Sequence, residues 1–285
     1  MTKDEYGDLL AEIGGGNQIG IASRRERNAA EQRVLAEHDT KFWGLLCLGD
    51  AVHEFYRDTL DVVSQQISRS SITNAQFAMV NWHIVSFGRF AAAFHLMAHG
   101  YYFEAITLAR DLWEVALSLA AVRRGVVTLD ELVGAGASTR REMEELSRKA
   151  DTKIRRTLIW ENTRLREEGR EAVETFLGIA NLATHKSKLH LTLNFSNIIK
   201  QRPVSIFPQF DLERAGAAHN MLSLASWSLV STLPYLDFAL PSSARGWHDR
   251  YAKIQLAFRE GPGKGPNAAV KAWSEVIERV FVPTQ

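Results

Sequence analysis

The sequence predicts an all-α, multi-helix bundle, and three observations predict it. Apolar residues recur at helical rather than alternating spacing along most of the 285 residues. Capping residues and glycines punctuate those stretches where helices would begin and end. One segment, Phe103 to Val122, is apolar on nearly every side, the pattern of a helix buried at the centre of a bundle.

Residues 1–22 read as a short helix followed by the Gly14-Gly15-Gly16 break, and residues 23–285 as a single helical domain. Ser23 is placed to cap a helix that continues through Arg57 and beyond, with Val34, Leu35, Phe42, Leu45, Leu46, Cys47, Val52 and Phe55 near helical spacing. A second long helix spans Asn74 to Ala98 and closes at Gly100, a residue suited to a left-handed cap. In the Phe103–Val122 helix, Leu108, Leu112, Val115 and Leu119 form one stripe, and Phe103, Ile106, Leu117 and Ala121 lie opposite. Only Glu104, Asp111 and Ser118 mark a plainly wettable strip, so Arg110 and Glu114, which fall among the apolar positions, are expected to be at least partly buried.

Residues 125–137 read as a connection, after which Ser138 is placed to cap a strongly charged helix over about 139–168. Its alternating charges predict a solvated face laced with i,i+4 pairs. Gly169 is expected to separate it from a helix ending near His185. His190 to Phe195 alternates and Pro203 to Pro208 holds Val204, Ile206 and Phe207, so these runs predict one small β-hairpin near 190–208. Asp211 then opens an apolar helix to about Leu240, bent at Pro234, and C-terminal helices within 243–282 flank the Gly261–Pro266 connector.

Composition narrows function by exclusion. A formal net charge of +1 provides no overall field for nucleic acid or anionic lipid, so any anion site must be local. Cys47, the only cysteine, rules out an intramolecular disulfide and cysteine-based zinc sites; its leucine neighbours predict a buried core residue. The N-terminus lacks the apolar core of a signal peptide, and no stretch approaches the roughly 18 apolar residues of a membrane span, so a cytoplasmic protein without a membrane partner is expected.

Nucleophile-elbow and zinc-protease motifs are missing, and the Gly261–Pro266 loop lacks both the Lys-Ser/Thr ending and the preceding strand of a phosphate loop. His95 and His99 share a helix face but have no evident third ligand, so neither a metal nor any other cofactor is expected. Arg110 and Glu114 are four apart and must be paired if buried. They are either a structural ion pair fixing how helices dock or a donor fork offered to phosphate or carboxylate. Asn181 and His185 share a second i,i+4 relation, and the stretch from Thr175 to Phe210 holds no acidic residue while carrying Lys186, Lys188, Lys200 and Arg202. A histidine in that setting can cap a helix end, contact phosphate or shuttle a proton.

The run Gly100-Tyr101-Tyr102-Phe103-Glu104-Ala105 followed by Leu108-x-Arg110-x-x-x-Glu114, and later His185-Lys186-Ser187, resembles the signature of a family of uncharacterised bacterial helical proteins over about residues 75–240. More distantly, the layout is similar to the HEPN superfamily of helical nucleotide- and RNA-binding domains, many of them metal-independent ribonucleases of toxin–antitoxin and phage-defence systems. That resemblance implies RNA or nucleotide as ligand, a homo-oligomer (usually a dimer completing the site), and His185 as general acid or base. The superfamily's arginine, separated from its histidine by four to six intervening residues, would fall at Gly178, Ile179 or Ala180 here, so the cation would have to come from Arg110 in space. The resemblance thus implies catalytic roles for His185, Arg110 and Glu114, with Asn181, Lys186 and Lys188 binding ligand. The alternative is a non-catalytic helical scaffold or regulatory partner of another protein, in which the same cluster is structural.

Overall fold

The computed structural model describes residues 21–68, 71–184, 208–240, 245–261 and 268–282. Among the described residues the chain is helical throughout and contains no strand; the predicted hairpin runs, the N-terminal helix and glycine break over residues 1–20, and residues 262–267 lie outside them. In chain order the helices are α1 (Ile21–Lys41), α2 (Trp43–Ile67), α3 (Asn74–Ala98), α4 (Tyr102–Arg123), α5 (Leu129–Val133), α6 (Arg140–Arg155), α7 (Glu167–Thr184), α8 (Leu212–Val230), α9 (Arg245–Glu260) and α10 (Ala268–Val276). π turns extend α6 over Arg156–Trp160 and α10 over Ile277–Phe281, and a 3-10 turn spans Leu233–Leu236.

Helix α4 is the axis of the bundle. It packs against α3, α6, α7 and α8, and no residue from Tyr102 to Val122 is exposed. Ala105, Ala109, Ala116 and Ala120 on α4, with Ala215, Ala218 and Ala225 on α8, are completely buried. Short side chains on both partners let the helix axes approach closely, and this is the most extensive helix pair in the fold. The C-terminal end is tied to the same core. Arg124 donates to the carbonyls of Arg279 and Val282, and the Tyr235 hydroxyl donates to the carbonyl of Phe281.

Several local expectations are corrected by tertiary contacts. The first long helix is interrupted at Phe42, whose backbone (φ −128°, ψ 21°) leaves the helical region. The Phe42 ring is drawn onto His219, at 4.4 Å between ring centroids. Hydrogen bonds to His38 and from Leu46 bridge the break, which is why the hydrophobic period runs through it unmarked. That helix is already under way at Ile21, ahead of Ser23. Cys47 is exposed rather than buried. It falls on the outward stripe with Trp43, Asp50 and Glu54, while Leu46 and Val52 face the core.

Residues 125–137 contain the short helix α5, held by a reciprocal capping box between Thr128 and Glu131. Thr139, not Ser138, caps α6, while Ser138 donates to the Glu142 carboxylate. Gly169 does not separate two helices; it lies in the first turn of α7. An added Cβ there would come 2.7 Å from Leu165 Cδ1, so the glycine serves close packing. Asp211 caps α8 as its sequence suggests, accepting from the Arg214 N–H at 3.0 Å. That helix ends at Val230 instead of bending at Pro234: proline has no N–H to donate to the Val230 carbonyl, and the chain continues as the 3-10 turn Leu233–Leu236 with Pro234 at its start.

Candidate functional site

The i,i+4 spacing of Arg110 and Glu114 brings both side chains to one face of α4, between α6 and α7. Glu114 Oε1 accepts from Arg110 Nε at 2.9 Å and from Arg155 Nη2, at the end of α6, at 2.8 Å. Arg110 Nη1 donates to Asn181 Oδ1 on α7 at 2.8 Å. One carboxylate oxygen and one guanidinium therefore bind three helices together. The side chains of Arg110 (21% exposed), Arg155 (32%) and Glu114 (36%) keep partial access to water, which lets the charges persist without the full desolvation cost.

Arg110, Glu114 and Asn181 are thus brought together as the sequence suggests. His185, Lys186 and Lys188 lie outside the described residues, α7 being described to Thr184. Arg155 was missed. It ends a helix whose charges read as a solvated face, and the one local signal is its neighbour Ile154, which is buried.

Beside this junction is a cleft of about 370 Å³ lined by Trp82, Arg89, Asp111, Glu114, Ser118 and Asp151, among others. Burial, then the nearby Glu114 charge, pushes the Asp151 carboxyl up. Burial also raises Asp111, opposed by Arg89 and reinforced by Glu114. A phosphate entering from this side would meet three carboxyl groups. The cleft does not favour an anion.

A second polar junction, unforeseen in the sequence, sits where α1, α4 and α8 meet. His38 Nδ1 and His219 Nε2 are 2.9 Å apart, and His38 Nε2 lies 3.0 Å from the Tyr102 hydroxyl. Both imidazoles are buried among Phe42, Tyr102 and Phe210. Burial lowers His38 to about 4, with Asp39 opposing and His99 adding, and lowers His219 to about 3, with His38 adding. The chain of hydrogen bonds closes with both rings neutral in matched tautomers, or with one ring protonated at high desolvation cost; two protonated rings would set N–H against N–H between His38 and His219.

The Gly100-Tyr101-Tyr102 turn acquires a structural reason here. Gly100 has φ +90°, Tyr101 donates to Glu31 on α1 at 2.7 Å, and Tyr102 bonds His38, so the turn docks α1 onto α4. His99 is the C-terminal cap residue of α3, its Nδ1 lying 2.8 Å from the His95 carbonyl. Among the described residues no group of three or more histidine, cysteine, aspartate or glutamate side chains is arranged to hold a metal ion.

The fold places the chain in the class of all-helical bundles, and no described helix is long and apolar enough to cross a membrane. No family model, curated protein or solved structure matches it.

Proposed function

We propose that this chain is a non-catalytic helical scaffold or regulatory partner of another protein, in which the Arg110–Glu114–Asn181 cluster is structural. What supports the reading is one observation: Glu114 Oε1 takes guanidinium donors from two helices while Arg110 reaches Asn181 on a third. The bonding capacity of these groups is directed at helix docking. A phosphate drawn to Arg110 would find Nε committed to Glu114 and Nη1 to Asn181, and would have to approach beside the Glu114 carboxylate.

A second reading, an HEPN-like protein binding RNA or another phosphate-bearing ligand, possibly as a ribonuclease of a bacterial defence or toxin-type system, has its own support. The Thr175–Phe210 stretch is free of acidic residues, begins within α7 beside Asn181 and carries His185, Lys186 and Lys188. In this reading Arg110 neutralises phosphate charge, its Nη2 being engaged by neither Glu114 nor Asn181. His185 is the general acid or base.

Arg110→Ala separates the two. The scaffold reading expects a lower thermal midpoint, and no anisotropy change when wild-type protein is titrated into a labelled single-stranded RNA. The RNA reading expects salt-dependent binding by wild type. Arg110→Ala and His185→Ala would then abolish that binding with the thermal midpoint kept, and this result would replace the scaffold reading.

A further inference from the structure

The largest open feature among the described cavities is a groove of about 1010 Å³ between α7, α8 and α10. Its size has a cause in the sequence. Where the three helices face one another they present small residues, among them Ala172 on α7, Gly216 and Ala217 on α8, and Ala269 and Ala272 on α10. Bundle helices normally fill such space with each other's larger side chains; among the described residues it is left open.

Larger apolar groups, Ile179, Met221, Leu224, Phe258 and Trp273, line the walls. Glu168 and Glu171 on α7, Glu213 on α8 and Glu260 at the end of α9 also line the groove, and all four are exposed. No described lining residue is a lysine or arginine.

We propose that this groove receives a cationic amphipathic helix from a partner protein, an inference that rests on the scaffold or regulatory reading above. The dimensions fit. A helix about 10–12 Å across with a 5.4 Å pitch occupies roughly 400–600 Å³ per turn, so the groove holds about two turns. Apolar anchors at i, i+3 or i+4, and i+7 would seat against Ile179, Leu212 and Leu224, which keep exposed surface, and supply most of the affinity. Lysines or arginines on the flanks of that helix would meet the carboxylates of Glu168, Glu171 and Glu213, and that of Glu260, which already pairs with Arg259. Exposed pairs of this kind add little energy each, but they set orientation, association rate and salt dependence. An acidic helix would meet like charge on every side. The same chemistry disfavours nucleic acid as the occupant.

The test uses the full chain and two labelled amphipathic peptides of about 15 residues with identical leucine anchors. One peptide has a lysine polar face and the other a glutamate polar face. The lysine peptide should bind with an affinity that falls with salt, and the glutamate peptide should bind at least tenfold more weakly. The double variant Glu171→Lys/Glu213→Lys should weaken the lysine peptide by roughly tenfold and flatten its salt dependence. Ala217→Trp should abolish binding by filling the groove.

A control pair on the solvated face of α6, Glu144→Lys/Glu145→Lys, should leave binding unchanged, and circular dichroism should show every variant helical. Equal affinity for the two peptides would overturn the proposal. So would failure of the lysine peptide to bind, as expected of a groove already filled by another part of the chain, or binding indifferent to the rim and plug variants. Arg110→Ala should not alter peptide binding, so failure of the groove and failure of the scaffold reading appear in separate assays.

Discussion

Two polar junctions do the same mechanical work in this bundle with opposite electrostatics. At the first, His38, Tyr102 and His219 join α1, α4 and α8 in a dry interior, and burial holds both imidazoles far below their ordinary range. At the second, Arg110, Glu114, Arg155 and Asn181 join α4, α6 and α7 with formal charges that still touch water. Solvation decides which chemistry can serve as a helix clasp. Neutral hydrogen-bonding rings suit a sealed site, whereas ion pairs suit a site where water shares the cost of the charge. The dry clasp is therefore vulnerable to protons and the wet clasp to salt.

The largest expected effect is acid destabilisation centred on the dry side. His38 and His219 fold with values of about 4 and 3 against 6.5 in the unfolded chain, and the buried His83, bonded to Tyr56, is likewise lowered to about 3. Because the folded values are depressed, the unfolded chain takes up protons first as pH falls below 6.5. Stability is full above that pH and drains away as pH falls through about 4 toward about 3. Calorimetric scans should show the thermal midpoint falling by roughly 10 °C or more over this range. A flat profile would remove the contrast between the clasps.

Next in size, His219→Ala leaves a cavity and a stranded His38 nitrogen, and should cost ~3 kcal/mol in urea unfolding. Glu114→Ala, which releases two guanidiniums that solvent can reach, should cost about 1 kcal/mol by the same measurement. Equal losses for the two substitutions would mean that solvation does not distinguish the sites. The smallest effect sharpens the comparison. Raising sodium chloride to about 1 M should shrink the Glu114→Ala difference and leave that of His219→Ala unchanged, since mobile ions screen only the charges they approach.

Helix α4 and the Arg110–Glu114 pair were legible because both depend on spacing along a single helix. A segment apolar on all sides must lie inside, and i,i+4 partners share a face wherever the helix goes. Asn181 was singled out on its own helix by the same rule, although nothing local placed it against Arg110. Arg155 and the His38–His219 pair were not legible. Their partners are 41 and 181 residues away in the chain, so each looks like one more surface charge or a lone histidine until the helices dock.

The amino-acid order by itself determined that the described chain is helical, where several helices begin or end, among them Asn74–Ala98, Tyr102–Arg123 and Arg245–Glu260, and which helix is central. These follow from periodicity, capping and proline chemistry, all of which act within a few residues. Tertiary packing alone decided the break at Phe42, the outward turn of Cys47, which clasp is dry, and the groove left by facing small residues. Each depends on what another helix brings to the same place, and burial is a property of that meeting rather than of any local stretch of chain.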